Sequence, residues 1–346
     1  MARRGVPQLS GGRRLTTVVR EPPSLIADAE FARLAEPFRR ELRAHCYRML
    51  GSVEEAEDAL QETYLRAWRA YGRFEGRSSL RVWLYRIATN ACLTALQQAA
   101  RRTLPSGLVA PSDDPEADAS RTRPEGKWLD PIPDALITPQ SEDPSAVAET
   151  RASVRLALIA SLQHLAARQR AVVILRDVMG LPATEVAQML DTSTAAVKSS
   201  LQRGRARLEQ VAPRAEDVAE PSEPQALALL TLYVKAFEQG DMSLLDQALH
   251  MDAILEMTSS GTWFAGKQNC LAFISRFLDT ADVYRMLPTR ANGQPAVAAY
   301  RRGEDGVQRA FALVALSMTS SGIARITLFN NTDLFTSFDF PPVVVD

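Results

Sequence analysis

The sequence predicts a multidomain chain with two all-α helical domains, the second a helix-turn-helix, followed by an α+β domain. Apolar residues recur at helical spacing over 31–103 and again over 151–214, with a Pro-, Asp- and Ser-rich stretch between them. From residue 225 helical patterns give way to alternating segments divided by Gly-containing turns, the order of an α+β domain. A chain of 346 residues is long enough to bury two or three cores.

Residues 1–30 combine Pro, Gly and Arg without periodicity and read as a disordered tail. Over 31–103, Ser52 and Glu55 form a capping box after Gly51, and Ala56, Ala59, Leu60, Thr63 and Ala67 then recur on one face. A helix therefore begins near Val53. After the turn "YGRFEGRSS", Leu80, Trp83, Leu84, Ile87, Ala88 and Ala91 make a second stripe, which leaves Arg81, Tyr85 and Thr89 on the opposite face. Trp83 reads as core and Tyr85 as the outward aromatic.

Residues 104–150 read as an interdomain linker. Its exception is "KWLDPIPD", where Trp128, Leu129, Pro131 and Pro133 form either a stiff docking peptide or a local cluster with no partner. Over 151–214, "PATEVAQML", the turn "DTS" and "STAAVKSSLQRGRARLEQ" have the form of a helix-turn-helix. Val197, Leu201 and Leu208 face inward on the second helix, and Lys198, Ser199, Gln202, Arg203 and Arg205 face outward, where they can reach a major groove or instead form a solvated basic face. A second linker spans 215–224. The α+β domain, 225–346, has helices at 225–239 and 267–278, the strand "AILEMT", and "AVAAYRR", "QRAFALVALSM" and "IARITLFN" between turns at "ANGQP", "GEDG" and "SSG".

No apolar run approaches the roughly 20 residues of a membrane span, and the basic start lacks the apolar stretch of a secretory signal. Cys46, Cys92 and Cys270 are far apart and without CxxC spacing, as expected of reduced thiols in the cytoplasm, and nothing in the pattern implies a metal or cofactor. The net charge of −1 conceals segregation. Between Gly76 and Ser112 there is no Asp or Glu but Arg77, Arg81, Arg86, Arg101 and Arg102, while Glu54, Glu55, Glu57, Asp58 and Glu62 cluster just before. Two basic faces and one acidic face point to two DNA contacts and one protein contact.

"AEDALQETYLRAW" followed by "FEGRSSLRVWLYRIATNAC" resembles region 2 of the sigma-70 superfamily, in its extracytoplasmic-function (ECF) group, and "RQRAVVILRDVMGL" with "STAAVKSSLQRGRARL" resembles region 4. The last domain, with "YVKAFEQGD" and "ANGQPAVAAYRR", resembles the SnoaL-like branch of the NTF2-like cone fold. With "WLDPIPD", the whole is similar to the sigma-G and sigma-J type factors of actinobacteria. The resemblance implies an alternative sigma factor that binds core RNA polymerase and promoter DNA, is modulated in cis by its last domain, and can do without an anti-sigma factor, although one is allowed.

The resemblance also assigns roles. Glu54, Glu57, Asp58, Gln61 and Glu62 would grip a helical clamp on the polymerase, an acidic stripe supplying register and encounter rate. Phe74, Ser78 and Ser79, with Asn90 on the next helix, would hold a flipped base of the −10 element, while Arg77, Arg81 and Arg86 track phosphates and Tyr85 stacks. Lys198, Ser199, Gln202 and Arg203 would read the −35 element, with Arg205 on phosphate or polymerase.

In the last domain His250, Asp252, Glu256 and Asp333 are the titratable candidates. His250 reads as a surface or capping residue, and Glu256 either lines the cone or faces solvent. A binding domain, with an unknown small ligand as a partner, is therefore expected over an enzyme. The competing readings are a one-component helix-turn-helix regulator, which leaves the acidic helix unexplained, and a DNA-tethered enzyme of the SnoaL type.

Overall fold

The computed structural model describes residues 25–97, 102–117, 128–138, 144–211, 222–278 and 281–344. The expected tail lies outside these as far as residue 24, the second linker as far as residue 221, and Arg101 with it.

The first helical unit contains α1 (Leu25–Ala35), α2 (Arg39–Leu50), α3 (Val53–Tyr71) and α4 (Leu80–Ala95). Gly51 ends α2 in the left-handed conformation, φ 72°, and Ser52, in extended backbone, accepts from Glu55 N to start α3. Ser79 caps α4 by accepting from Val82 N at 3.2 Å. The expected stripe is buried as Ala56, Ala59, Leu60, Thr63 and Ala67.

A single turn, α5 (Asp134–Ile137), and α6 (Pro144–Ala152) lead to the second unit: α7 (Leu156–Leu162), α8 (Ala167–Val173), continued by a π-type turn at Ile174–Val178, then α9 (Ala183–Met189) and α10 (Thr194–Val211). The helix-turn-helix is α9 and α10, with Asp191 at φ 49° in the turn. Gly204 of α10 is buried because a Cβ there would lie 2.7 Å from Val173 Cγ2, so α8 and α10 approach closely.

The two helical units share one hydrophobic core. It runs from Tyr47, Leu50 and Leu84 through Leu129, Ile132 and Val154 to Ile174, Val186 and Val197. Arg170 of α8 is buried in the seam and donates to the Met49 carbonyl at the end of α2 and to Gln163 Oε1.

The third unit begins with α11 (Glu223–Gln239) and α12 (Met242–Ala248). It continues through β1 (Leu249–Met257), β2 (Thr262–Ala265), α13 (Lys267–Ile274), β3 (Tyr284–Ala291), β4 (Gln294–Arg302), β5 (Gln308–Thr319), β6 (Gly322–Phe329), α14 (Leu334–Ser337) and β7 (Val343–Val344). The strand order is β2-β1-β6-β5-β4-β3, with β7 on β5; β1 and β6 are parallel and the other pairs antiparallel. Irregular register in β1, β4 and β5 adds the local bend that lets one sheet close over helices. One face packs on α11, α12 and α13 around Tyr233, Leu245 and Phe273, so that the sheet and its helices enclose a cone. The other face buries Ala298, Tyr300, Phe335 and, from the start of α7, Leu156.

Candidate polymerase and promoter interfaces

On α3, Glu54, Asp58, Gln61 and Leu65 form one exposed stripe at helical spacing, Leu65 with 47% of its surface accessible. The other two acidic candidates are engaged. Glu57 accepts from Arg39 (3.2 Å) and Arg43 (2.8 Å) of α2, and Glu62 pairs with Arg66 one turn on (2.6 Å). Glu55, off this stripe, meets Arg102 at 2.9 Å. The acidic surface left unpaired among the described residues is thus narrower than the sequence cluster, and it carries an apolar end.

A concave patch opens between α3 and α4, lined by Arg66, Ala70, Trp83, Arg86, Ile87 and Asn90. Arg86 and Asn90 are exposed, as are Arg77, Ser78 and Ser79 in the preceding loop. Trp83 is half-buried at the edge of this patch, its ring 4.8 Å from that of Phe74. The structure departs from expectation at Tyr85, Trp83 and Arg81. Tyr85 does not face outward: it is 1% exposed, lies 5.1 Å from the His45 ring, and burial pushes its phenol pKa up. It therefore cannot stack on an extruded base, and Trp83, expected in the core, is the aromatic that borders the patch. Arg81 is also committed, holding Glu41 of α2 through two nitrogens at 2.8–3.0 Å with its guanidinium 5.2 Å from the Tyr85 ring. The physical reason is that α2 covers the α4 face bearing Arg81, Tyr85 and Thr89, where His45 Nε2 meets Thr89 Oγ1 at 2.9 Å.

On α10, Lys198, Ser199, Gln202 and Arg203 are exposed and Val197 is buried, with Leu201 and Leu208 half-buried. Ser193 caps the helix by accepting from Ala196 N at 3.1 Å. Arg205 is exposed yet paired through two nitrogens with Asp177 at 2.6 and 2.9 Å.

The stretch 128–134 is packed. Leu129 and Ile132 are fully buried, Pro131 and Pro133 are buried, and Trp128 is half-buried. Leu129 reaches Gly51, where an added Cβ would lie 2.5 Å from Leu129 Cδ2 and 3.3 Å from Gln163. The tip of the β3–β4 hairpin closes over this junction. Asn292, buried with φ 56°, donates its backbone N–H to the Ile132 carbonyl at 2.9 Å, and its Oδ1 accepts from Ile132 N at 3.0 Å. Its Nδ2 donates to the Tyr47 hydroxyl (2.8 Å) and the Val154 carbonyl (2.7 Å). Gly293 N donates to Asp134 Oδ1 at 2.6 Å, and a Cβ on Gly293 would lie 2.5 Å from the Arg151 carbonyl. One hairpin tip therefore touches the first helical unit, the 128–134 stretch and the approach to the second. The "ANGQP" motif announces a turn, but nothing in its residue types announces that the asparagine side chain bonds outward.

The first helical unit, over residues 34–102, matches the family model for sigma-70 region 2, and residues 155–208 match that for sigma-70 region 4. The ECF RNA polymerase sigma factor SigG of Mycobacterium tuberculosis is 46% identical over 316 residues, covering 90% of this chain and 84% of that protein. The chain belongs to the ECF RNA polymerase sigma factors. A probable ECF sigma factor of the same organism, SigI, is 27% identical over 304 residues, 84% of this chain and 92% of its own. The crystal structure of SigJ from M. tuberculosis superposes with a TM-score of 0.59, covering 90% of this chain and 99% of that one at 21% identity, which shows a shared fold. In this sigma factor the third unit thus follows regions 2 and 4 in the same chain, and its hairpin reaches both.

Glu256 of the sigma factor neither lines the cone nor faces solvent. It is fully buried on the outer face of β1, paired with Arg325 of β6, and accepts from Ser106 Oγ at 2.9 Å. Burial lowers the Arg325 pKa to about 10. His250, half-buried at the irregular start of β1, uses Nδ1 to accept from Asp252 N at 3.1 Å, so it caps no helix. The three cysteines are free and buried, and among the described residues no helix is long and apolar enough to cross a membrane.

Proposed function

We propose that this sigma factor acts in the cytoplasm and that its last domain, in cis, holds regions 2 and 4 in the compact arrangement seen here. The observation that carries the reading is the Asn292 node, where one buried side chain and its backbone bridge Tyr47, Ile132 and Val154. Buried hydrogen bonds of this kind are directional, and each left unmade costs about 1–3 kcal/mol. They favour one relative placement of the modules, against the separation needed to reach two promoter elements at once.

In this reading Glu54, Asp58, Gln61 and Leu65 meet the core enzyme, the acidic part steering encounter and the leucine supplying apolar contact. The patch of Arg66, Trp83, Arg86 and Asn90, beside the loop with Phe74, Arg77, Ser78 and Ser79, receives the opened −10 strand. An aromatic edge next to two cations suits a stacked base and its phosphate. Lys198, Ser199, Gln202 and Arg203 enter the −35 groove, with Arg205 anchored by Asp177. The 128–133 stretch acts as the docking peptide between the three units.

The cone domain acts as a regulatory unit. No carboxylate or imidazole is among the described residues lining its cavity, and His250 and Glu256 have the structural partners given above. The test is in vitro transcription by core polymerase on a genomic-fragment library with the full chain, residues 1–214 and the Asn292→Gly chain. Start sites that appear or strengthen with the latter two support the reading. Equal output from all three overturns it.

A further inference from the structure

We infer that the interior of the cone is a binding site for an aromatic carboxylate or similar apolar monoanion, and that its occupant touches the segment joining regions 2 and 4. The cavity measures about 600 Å³, inside the range of roughly 300–1,000 Å³ usual for small-molecule sites. Six rings, Tyr233, Phe237, Phe273, Phe277, Tyr284 and Phe311, contribute to its wall. Such a wall selects a flat apolar body, for which ring contacts add to the gain from burial.

The charged groups on the cavity, among the described residues, are Arg276 and Arg301. Two cations and no carboxylate on the described lining, with only Arg276 facing a carboxylate behind it, favour a negative ligand beside a low-dielectric wall. The two arginines are differently engaged. Arg276 donates to the Pro115 carbonyl at 2.6 Å, faces Glu116 at 3.4 Å, and lies 5.5–5.6 Å from the Phe273 and Phe277 rings. Arg301, on β4, is exposed, lines the cavity and has no carboxylate partner among the described residues, so its guanidinium is available to a ligand carboxylate. Ser259 and Asn330, 3.1 Å apart, add neutral polar groups on the lining.

A segment of the interdomain connection lies against the cavity. Trp263 Nε1 donates to the Val109 carbonyl at 2.8 Å, the Trp263 carbonyl accepts from Ser112 N at 2.8 Å, and Arg276 grips 115–116. Ala117 lines the cavity itself. A ligand that fills the cone therefore contacts the chain between region 2 and the docked 128–134 stretch, and differential contact with the strapped and released forms would shift their populations. This coupling rests on the cis-regulatory reading above; the binding does not.

The test uses the full chain with 8-anilinonaphthalene-1-sulfonate as fluorescent reporter, displaced by anthracene-2-carboxylate or by its neutral amide. Expected is saturable 1:1 displacement in which the carboxylate outcompetes the amide by about tenfold or more, a difference of roughly 1.4 kcal/mol. Arg301→Gln should abolish that preference by lowering carboxylate affinity toward that of the amide; Ala299→Trp, filling the cavity, should abolish binding of both. No saturable displacement, or equal potency of acid and amide, overturns the site. An unchanged preference in the Arg301→Gln chain overturns the arginine's role in it. Transcription with added carboxylate then separates the two claims: a response lost in Arg301→Gln supports the coupling, and binding without any response overturns the coupling alone.

Discussion

The side-chain amide of Asn292 donates to the hydroxyl of Tyr47 at 2.8 Å across 245 positions of sequence. The polarity of that bond is fixed by its neighbour, because the Tyr47 hydroxyl spends its single proton on the Asp130 carbonyl at 2.6 Å and can only accept from Asn292. Burial pushes the Tyr47 pKa up, so the phenol remains neutral over the whole physiological range. The contact is therefore a fixed-direction chain of hydrogen bonds from the hairpin through region 2 into the docked stretch.

Asn292→Gly keeps a residue that tolerates φ 56° and removes the side-chain bonds. We expect the compact arrangement to weaken by about 2 kcal/mol, roughly thirtyfold in population. Small-angle scattering should show a larger radius of gyration than for the unaltered chain, and an identical radius would dismiss the node as a latch.

Trp83→Ala should slow formation of the open promoter complex, with little effect on closed binding, whereas Tyr85→Phe should leave both unchanged. Permanganate reactivity of −10 thymines reports the difference. A melting defect confined to the tyrosine variant would restore the outward tyrosine and reject the patch assignment.

These two residues also show what could be read from sequence. Periodicity located α3, α4 and the helix-turn-helix because each buries a stripe whose spacing is written in the chain. It misassigned Tyr85 because α4 is covered on two sides, and it caught only half of Trp83, which packs on the core with one edge and borders the patch with the other. The second cover, α2, brings His45 and Glu41 to the face that looks polar in isolation. Leu129 and Ile132 were legible as apolar, but their partners Gly51 and Asn292 are distant in sequence and carry no periodic signal.

For the −35 helix, Arg203→Ala should lower promoter affinity and reduce the slope of log K against log salt by about one. Arg205→Ala should change the slope less, since Asp177 already neutralises that guanidinium. A filter-binding series from 50 to 200 mM salt decides it, and a larger loss for Arg205 would reverse the order of the two roles.

On α3, Asp58→Arg reverses the charge at the middle of the exposed stripe. Affinity for core polymerase should fall by about tenfold or more, mostly through slower association. Biolayer interferometry at two ionic strengths measures this. Unaltered association would move the polymerase contact off this face.

His45 supplies a pH dependence. Burial, with a smaller contribution from the Arg48 charge, lowers its pKa to about 3, whereas an unfolded histidine titrates near 6.5. Between those values the unfolded chain takes up a proton that the folded chain refuses, so stability falls on acidification by up to about 1.4 kcal/mol per pH unit. Above 6.5 the contribution is complete. Urea midpoints at pH 7 and pH 5 should differ more for the wild type than for His45→Gln. Equal differences would show that this imidazole does not govern the acid limb.

The hairpin tip also has a temporal meaning, because proteins are synthesised from the N-terminus. Regions 2 and 4 are complete once Val211 has been added, while Asn292 follows 81 residues later. At about 5–20 residues per second that interval is on the order of ten seconds. Every newly made molecule thus passes through a brief infancy in which both DNA-binding modules exist and the hairpin that bonds across their junction does not. A pause by the ribosome within α11 or β1 would lengthen it, which makes the speed of translation itself a setting on how many unlatched molecules the cell holds.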